Sequence, residues 1–450
     1  MLENIKSSFF IKIIFSFPVN KTKLKLVKYN KNLQNKIDIS LINYKIFSQR
    51  YIIYGENGKA NEYMGYNDAL KFEGEYSNGE RNGKGKEYDY SGKLEFEGEF
   101  KNGKRNGKGK EYDYNGKIIF DGEYKNGVKN GKAKEYFDDK IIFEGEYLKG
   151  KKWNGKGFDD KKNIVYELKK GKGYIKEYSG FDKLRFEGEY SNGVRNGKGK
   201  EYDYSGKLSF EGEFKNGKRN GIGKEYVEGK LIFDGRFLNG NRWDGKGYDN
   251  KNNIIYELKN GTGFIKEYDS VDNLEFEGNL LNGKLNGKIK HYVCGKLSLE
   301  EEYLNGKLNG KQNYYRLENG KLINEYEYIN DILKKGKEYN YDDELQFEGE
   351  ILYGYKWKGK DFIKGKLEYE GEYLYNRKYN GKGYDEKGNI IYELINGNGR
   401  VKEYDEKGRL IFEGEYLNGK RWNGKLKKYY FDGTIFEEEY INKENINKNK

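Results

Sequence analysis
His291 and Cys294 stand three residues apart, and they are the chain's single histidine and single cysteine. Such a pair could activate a thiolate nucleophile or begin a zinc site. A zinc ion takes four ligands and a catalytic dyad needs an orienting third group, and no other His or Cys exists to help. Structural roles are expected for both. Glu73 with Glu75 offers paired carboxylates of the kind that divide acid and base work. The pair recurs as Glu97 with Glu99 and again further along, whereas catalysis needs one asymmetric pocket. A solvated acidic face is the simpler origin. Gly83-Lys84-Gly85 has the composition of a phosphate loop, but that motif requires Gly-x-x-x-x-Gly-Lys, then Ser or Thr, then a helix. Only three residues separate Gly79 from Gly83, Gly85 follows the lysine, and a strand pattern comes next; a hairpin turn accounts for these glycines. The chain therefore reads as non-enzymatic, with no catalytic residue, cofactor or metal expected.

One set of side chains is more selective. Trp153, Trp243, Trp357, Tyr379 and Trp422 each lie ten residues after the first aromatic of a repeated unit, where ordinary copies carry Asn, as at Asn82 and Asn106. They include all four tryptophans of the protein. Each ring either folds back over the neighbouring hairpin, patching the sheet where the next unit is irregular, or serves as a spaced contact for a partner. Trp beside Arg or Lys is typical of interaction hot spots, so these five are the candidate partner-binding residues, with packing the simpler role.

The elements that must position them follow from internal repetition, which settles an architecture before anything else. Phe72-Glu73-Gly74-Glu75-Tyr76 returns as Phe96-Glu97-Gly98-Glu99-Phe100 and as Phe120-Asp121-Gly122-Glu123-Tyr124, and the series runs to Phe436. It makes seventeen units spaced 20 to 25 residues apart, with residues 96–185 and 186–275 as two copies of a 90-residue block. In Leu94–Phe100 the even positions are apolar or Gly and the odd positions are Glu. That alternation means a strand with one buried face. Lys101–Gly107 contains two Asn-Gly steps, which supply the positive φ of hairpin turns. A second strand is expected over Lys108–Tyr114, and Asn115-Gly116 turns the chain into the next copy. Gly98 falls on the aromatic face, where a side chain would collide with the flanking rings. Lysines such as Lys108 and Lys110 lie across from the acidic face, giving pairs worth ~0.2–1 kcal/mol each.

The segment Phe96–Gly109, with its aromatic-x-Gly-x-aromatic, Asn-Gly and Gly-x-Gly steps, resembles the MORN repeat, and Lys110-Glu111-Tyr112 resembles the ending of a MORN variant. The resemblance extends over about residues 55–440. It implies an all-β repeat fold: an elongated, single-layer antiparallel meander of hairpins with aromatics packed along one face. Copies that depart from the pattern, with Glu301 for the central Gly and Asn324 for the aromatic, predict looser or bent packing between 299 and 346.

Residues 1–54 form a separate basic segment, and 441–450 a polar tail. Residues 1–55 hold ten Lys or Arg against Glu3 and Asp38, a net +8 out of a chain total of +12. A protein that tracks phosphates would spread its charge along the array, so nucleic acid is not an expected partner. Ile5, Phe9, Ile13 and Phe17 follow helical spacing up to Pro18, and a second helical stretch covers about Lys21–Ile37. Two or three helices are expected here as a small cap on the first open sheet edge. Two other roles compete. Lys21, Lys23, Lys25, Lys28 and Lys31 would anchor a basic helix to an acidic membrane surface. Ile13-Ile14-Phe15-Ser16-Phe17 resembles an F-box, which would imply a ubiquitin-ligase substrate adaptor.

Phe9–Phe17 is short and interrupted by Lys12, so neither a signal peptide nor a membrane span is expected. A lone Cys gives no reason for an oxidising compartment. The expected address is cytoplasmic, at the periphery of a membrane or the cytoskeleton. The MORN resemblance implies scaffolding, dimerisation or peripheral attachment; some such arrays are fused to lipid kinases or methyltransferases. Protein partners are expected first, an acidic membrane surface second, and a homodimer is consistent with the same family behaviour.

Overall fold
The computed structural model describes residues 48–179, 183–405, 407–430 and 433–441. Thirty-five strands occur among them, each paired antiparallel with its sequence neighbour in simple meanders. Two compact units divide the chain. The first holds Arg50–Leu297 with Tyr303–Gly306, and the second holds Ser298–Glu302 and Lys307 onward together with residues up to Gln49.

The first unit opens with an eleven-stranded sheet from Arg50–Tyr54 to Ile164–Leu168, followed by an eight-stranded sheet from Gly173–Ser179 to Ile254–Leu258. The second closes with a four-stranded sheet from Gly399–Tyr404 to Ile435–Ile441. The expected all-β hairpin meander is thus present. The helices expected as a cap within residues 1–54 fall in residues 1–47, outside the described residues, and Arg50–Tyr54, also expected in that cap, is instead a strand paired with Lys59–Met64. Tyr51-Ile52-Ile53-Tyr54 is aromatic and β-branched and precedes a Gly-Glu-Asn-Gly turn, so strand propensity wins there.

One hairpin shows why the units form. Strand Leu94–Lys101 turns at Asn102 and Gly103, with φ of 51° and 74°, and returns as Lys104–Tyr112. Two positive φ values in sequence make the turn that matches sheet twist. The second Asn-Gly step is not a turn. Gly107, at φ 107°, lies inside the returning strand, which bulges there while Phe100 pairs with Arg105 and Gly98 with Gly109. The strand therefore begins at Lys104, four residues before the position read from sequence. Gly83-Lys84-Gly85 likewise sits within strand Glu80–Tyr88 and not in a hairpin turn.

Rows of rings make up separate core clusters, one of them from Phe72 to Tyr147. Phe72, Phe96, Phe120 and Phe143 are fully buried, and the second rings Phe100, Tyr124, Tyr147, Phe214 and Phe237 each stand edge-on to two first rings. Phe100, for example, is 5.4 Å from Phe96 and 5.1 Å from Phe72. The rings fit because glycines meet beneath them. A Cβ on Gly98 would lie 2.6 Å from the Lys108 carbonyl oxygen, 2.7 Å from Gly109 Cα and 2.8 Å from Phe96 Cζ. Around residue 300 the arrangement changes: buried Glu301 accepts a 2.5 Å hydrogen bond from buried Gln312. A polar pair thus stands where other copies bring glycines together.

Replacing Gly98 with Val should destabilise the first unit by about 2–3 kcal/mol, the scale of forced overpacking. The same change at Gly103, which has open space around it, costs only backbone strain of about 1–2 kcal/mol. Thermal melting of both variants compares them.

Candidate binding surfaces
Period-two alternation gives every unit an aromatic face and a charged face. On the aromatic face an unanticipated feature appears. Nine residues after the first ring of most copies stands a cation that covers that ring. Arg81, Arg105, Arg195 and Arg219 hold their guanidinium carbons 4.0–4.2 Å from the centroids of Phe72, Phe96, Phe186 and Phe210. Lys129 and Lys356 do the same over Phe120 and Phe347, at 3.7 and 3.8 Å. Each cation also reaches carboxylates. Arg105 bridges Glu87 at 2.7 Å and Glu111 at 2.8 Å, Lys129 continues to Glu111 at 2.9 Å, and Arg81 joins Glu87 to Glu62. Arg195, Glu201, Arg219, Glu225 and Arg242 repeat the pattern.

The anions of this spine are the central residues of Lys-Glu-Tyr, which alternation turns inward. The flanking Lys110 and Tyr112 point to the other face, where Tyr112 donates 2.5 Å to Glu97. The signal was legible as a cation at a constant offset, but it shows only when the copies are aligned on their rings. One copy tests the logic. After Phe276 the covering position is Leu285 and the expected Glu is His291, whose ring stands 5.1 Å from Phe276. His291 is thus a ring neighbour of the core, and Cys294 is exposed in the next turn at φ 49°. Among the described residues no group of three or more His, Cys, Asp or Glu could hold a metal ion.

Electrostatics follow from this spine. Burial pushes the Glu111 carboxyl up, but the Lys129 ammonium and the Arg105 guanidinium outweigh it, so its pKa is lowered. Glu62, also penalised by burial, is held down by Arg50 and Arg81. Glu368 differs: burial dominates, and its pKa is raised despite Lys378.

The charged face is a shallow trough. In the first unit Glu73, Lys86, Glu97, Lys110 and Asp121 form one wall in register. Lys59, Glu75, Lys84, Glu99 and Lys108 form the other, and the trough holds about 750 Å³. A second trough of about 650 Å³, with walls including Lys337, Glu348, Lys360 and Glu370, lies in the second unit. The paired carboxylates Glu73 and Glu75 are wall residues here, set among lysines of adjacent strands.

The five aromatics picked out by sequence occupy one structural position. Each is the extra residue of a β-bulge: Trp153 between Lys152 and Asn154, Trp243 between Arg242 and Asp244, Trp357 between Lys356 and Lys358, Tyr379 between Lys378 and Asn380, Trp422 between Arg421 and Asn423. Tyr379 is buried and the tryptophans are half-buried. At three of them the bulged carbonyl secures the short hairpin that follows. Trp153 accepts from Gly171 N at 2.7 Å, Trp243 from Gly261 N at 2.6 Å, and Tyr379 from Gly397 N at 2.6 Å. The Gly171, Gly261 and Gly397 carbonyls then accept from Gly193, Gly283 and Gly419. The Trp153 ring covers Gly171 so closely that a Cβ there would be 2.9 Å away. Lys21, Lys23, Lys25, Lys28 and Lys31, the candidate membrane anchor, lie outside the described residues.

Comparison with known proteins agrees with this unit structure. The MORN repeat model matches residues 72–93, 96–118, 120–140, 186–207 and 210–229, so the chain contains five MORN repeats, all in the first unit. The F-box-like reading of Ile13–Phe17 gains no support from the family comparison, whose matches lie elsewhere. No curated protein matches the chain. Among solved structures, a Tc holotoxin pore from Photorhabdus luminescens aligns with 92% of this chain and 28% of its own at 9% identity, with a TM-score of 0.12. The chain thus spans little more than a quarter of that structure, and a likeness this low carries no argument about fold or function.

Two outcomes follow. Because Glu111 and Glu62 have lowered folded pKa values, their stabilisation is present above the unfolded carboxylate range of about 4.3 and is lost as pH falls through the folded values. Glu111→Gln should cost about 1–3 kcal/mol at neutral pH and flatten the acid limb of a stability–pH curve from denaturant melts. Trp153→Ala should loosen the hairpin at Lys170-Gly171 by about 1–2 kcal/mol, since a half-buried ring is lost; hydrogen exchange at the Gly171 amide reads this.

Proposed function
We propose that this protein is a non-enzymatic scaffold that holds extended segments of partner proteins in its charge-walled troughs. The carrying observation is the pair of walls in which Lys and Glu alternate from strand to strand over a backbone floor. A surface of alternating sign has no strong net field, so it favours a polypeptide with matching alternation over a polyanion. The repetition of MORN hairpins supports the reading, since it offers one surface many times over. A homodimer is compatible with it.

A second reading is attachment to acidic lipid through residues 1–54, favoured by the net +8 concentrated in residues 1–55. Among the described residues no helix is long and apolar enough to cross a membrane, so this attachment would be peripheral. A location at the cytoplasmic face of a membrane or on the cytoskeleton fits either reading.

Proximity labelling of the full chain, compared with Lys84→Glu/Lys108→Glu/Lys110→Glu, tests the scaffold. The charge reversal should lower recovery of the specific partners about tenfold while the protein stays folded. Partners retained in full by the folded variant would refute the trough. Flotation with phosphatidylserine vesicles, lost on Lys21→Glu/Lys25→Glu/Lys28→Glu, would favour the lipid reading instead.

A further inference from the structure
Most hairpin tips in this chain are polar. Asn102, Asn126, Asn216, Asn239 and Asn418 take the first positive-φ position of the turn, where Asn is tolerated and bulky residues are not. Two tips of the second unit break this rule together. Tyr353 sits at φ 53° and Tyr375 at φ 52°, in the neighbouring hairpins Leu345–Ile363 and Lys366–Tyr384. An aromatic residue in this conformation costs free energy and persists where surrounding contacts over-determine it.

Those two tips carry an aromatic patch. Tyr355 meets Tyr375 edge-on at 5.4 Å, and Tyr353, Tyr355, Trp357 and Leu374 pack around buried Tyr379. Asn at the same position of other tips is exposed, as at Asn102 and Asn418, but Tyr353 and Tyr375 are half-buried. Burial pushes the Tyr353 hydroxyl up to about 12. The Trp357 indole N–H is buried yet has no hydrogen-bond partner among the described residues, and a buried donor of this kind calls for one. Ser48 adds the decisive contact: its side chain hydrogen-bonds the Tyr375 hydroxyl. Ser48, which directly follows residues 1–47 in the chain, therefore sits at this patch. Their sequence carries Ile5, Phe9, Ile13 and Phe17 at helical spacing, an apolar stripe that needs a surface to cover it.

We propose that the aromatic patch of Tyr353, Tyr355, Trp357, Tyr375 and Tyr379 is the docking site for residues 1–47 of the same chain. This differs from the sequence expectation of a cap on the first sheet edge. It also stands independently of the trough reading, because no trough residue takes part. Docking would remove the apolar stripe from solvent and supply the acceptor that the Trp357 indole lacks.

The test uses the full chain with Trp357 as its one tryptophan, through Trp153→Phe, Trp243→Phe and Trp422→Phe. Acrylamide quenching of Trp357 should rise at least threefold when Phe9→Asp/Ile13→Asp is added, with circular dichroism of the sheet unchanged. A photo-crosslinker at position 355 should join residues 1–47, and in a mixture of isotopically light and heavy protein the joined peptides should come from one chain. Equal quenching in both proteins would overturn the proposal. So would crosslinks that pair light with heavy chains, which would make a second copy the occupant. Flotation of the wild type on acidic vesicles with Trp357 exposed would also overturn it, since the stripe would then belong to the membrane. Phe9→Leu/Ile13→Val, which keeps the stripe apolar, should restore the low quenching.

Discussion
Neighbouring backbones in this protein approach closely where glycines pair across strands, as Gly98 does with Gly109. At Gly98 a single added carbon would meet a carbonyl oxygen, a Cα and a ring at 2.8 Å or less, and at Gly109 it would meet the Phe96 ring at 2.5 Å. The missing side chains leave room for a phenylalanine to lie flat against the crossing strands, and every other feature of the unit is arranged around that ring. Its edge meets rings of its own and a neighbouring hairpin, its open face is covered by a cation, and the cation is held by carboxylates from two hairpins. Burial, aromatic geometry and ion pairing thus act on one point, repeated along the sheet.

This arrangement couples neighbours and little else. A single-layer sheet has no second layer to bury its rings, so exposed aromatic faces would be costly without cover. The arginine and lysine stems provide cover while keeping their charges at partly hydrated carboxylates. Buried ion pairs alone are weak evidence of stability. Here their contribution is better understood as closing the groove and setting register, with the cation–π contact adding about 0.5–2 kcal/mol per ring. Where the cation becomes Leu285 the anion becomes His291, so the two positions change together and no unpaired charge is left over the ring.

The other face is free of this duty. Its walls alternate in sign because each acidic strand is flanked by strands that carry lysine at the matching positions. The bulged aromatics belong to neither face in a simple way. Their main-chain carbonyls tie down the short hairpins at Lys170-Gly171, Asn260-Gly261 and Asn396-Gly397, which identifies a structural duty for Trp153, Trp243 and Tyr379 beside any contact with a partner.

Periodicity alone determined the strand–turn–strand unit, the Asn-Gly tip and the need for glycine under the rings, because each depends on residues close in sequence and on backbone sterics. The MORN resemblance rests on the same local pattern. The second Asn-Gly step was misread as a turn, since positive φ serves a bulge as readily as a hairpin and only the pairing of Phe100 with Arg105 distinguishes them. The cation spine was out of reach for a similar reason: Arg105 joins Glu87 and Glu111, residues of successive hairpins, and their meeting depends on strand register. Likewise the aromatic set at Trp153 and its counterparts was visible as an insertion, but its place in a bulge, and the gathering of Tyr353, Tyr375 and Trp357 at adjacent tips, were decided by tertiary structure. Local sterics can be read along a chain; a contact between hairpins exists only once the sheet has brought them side by side.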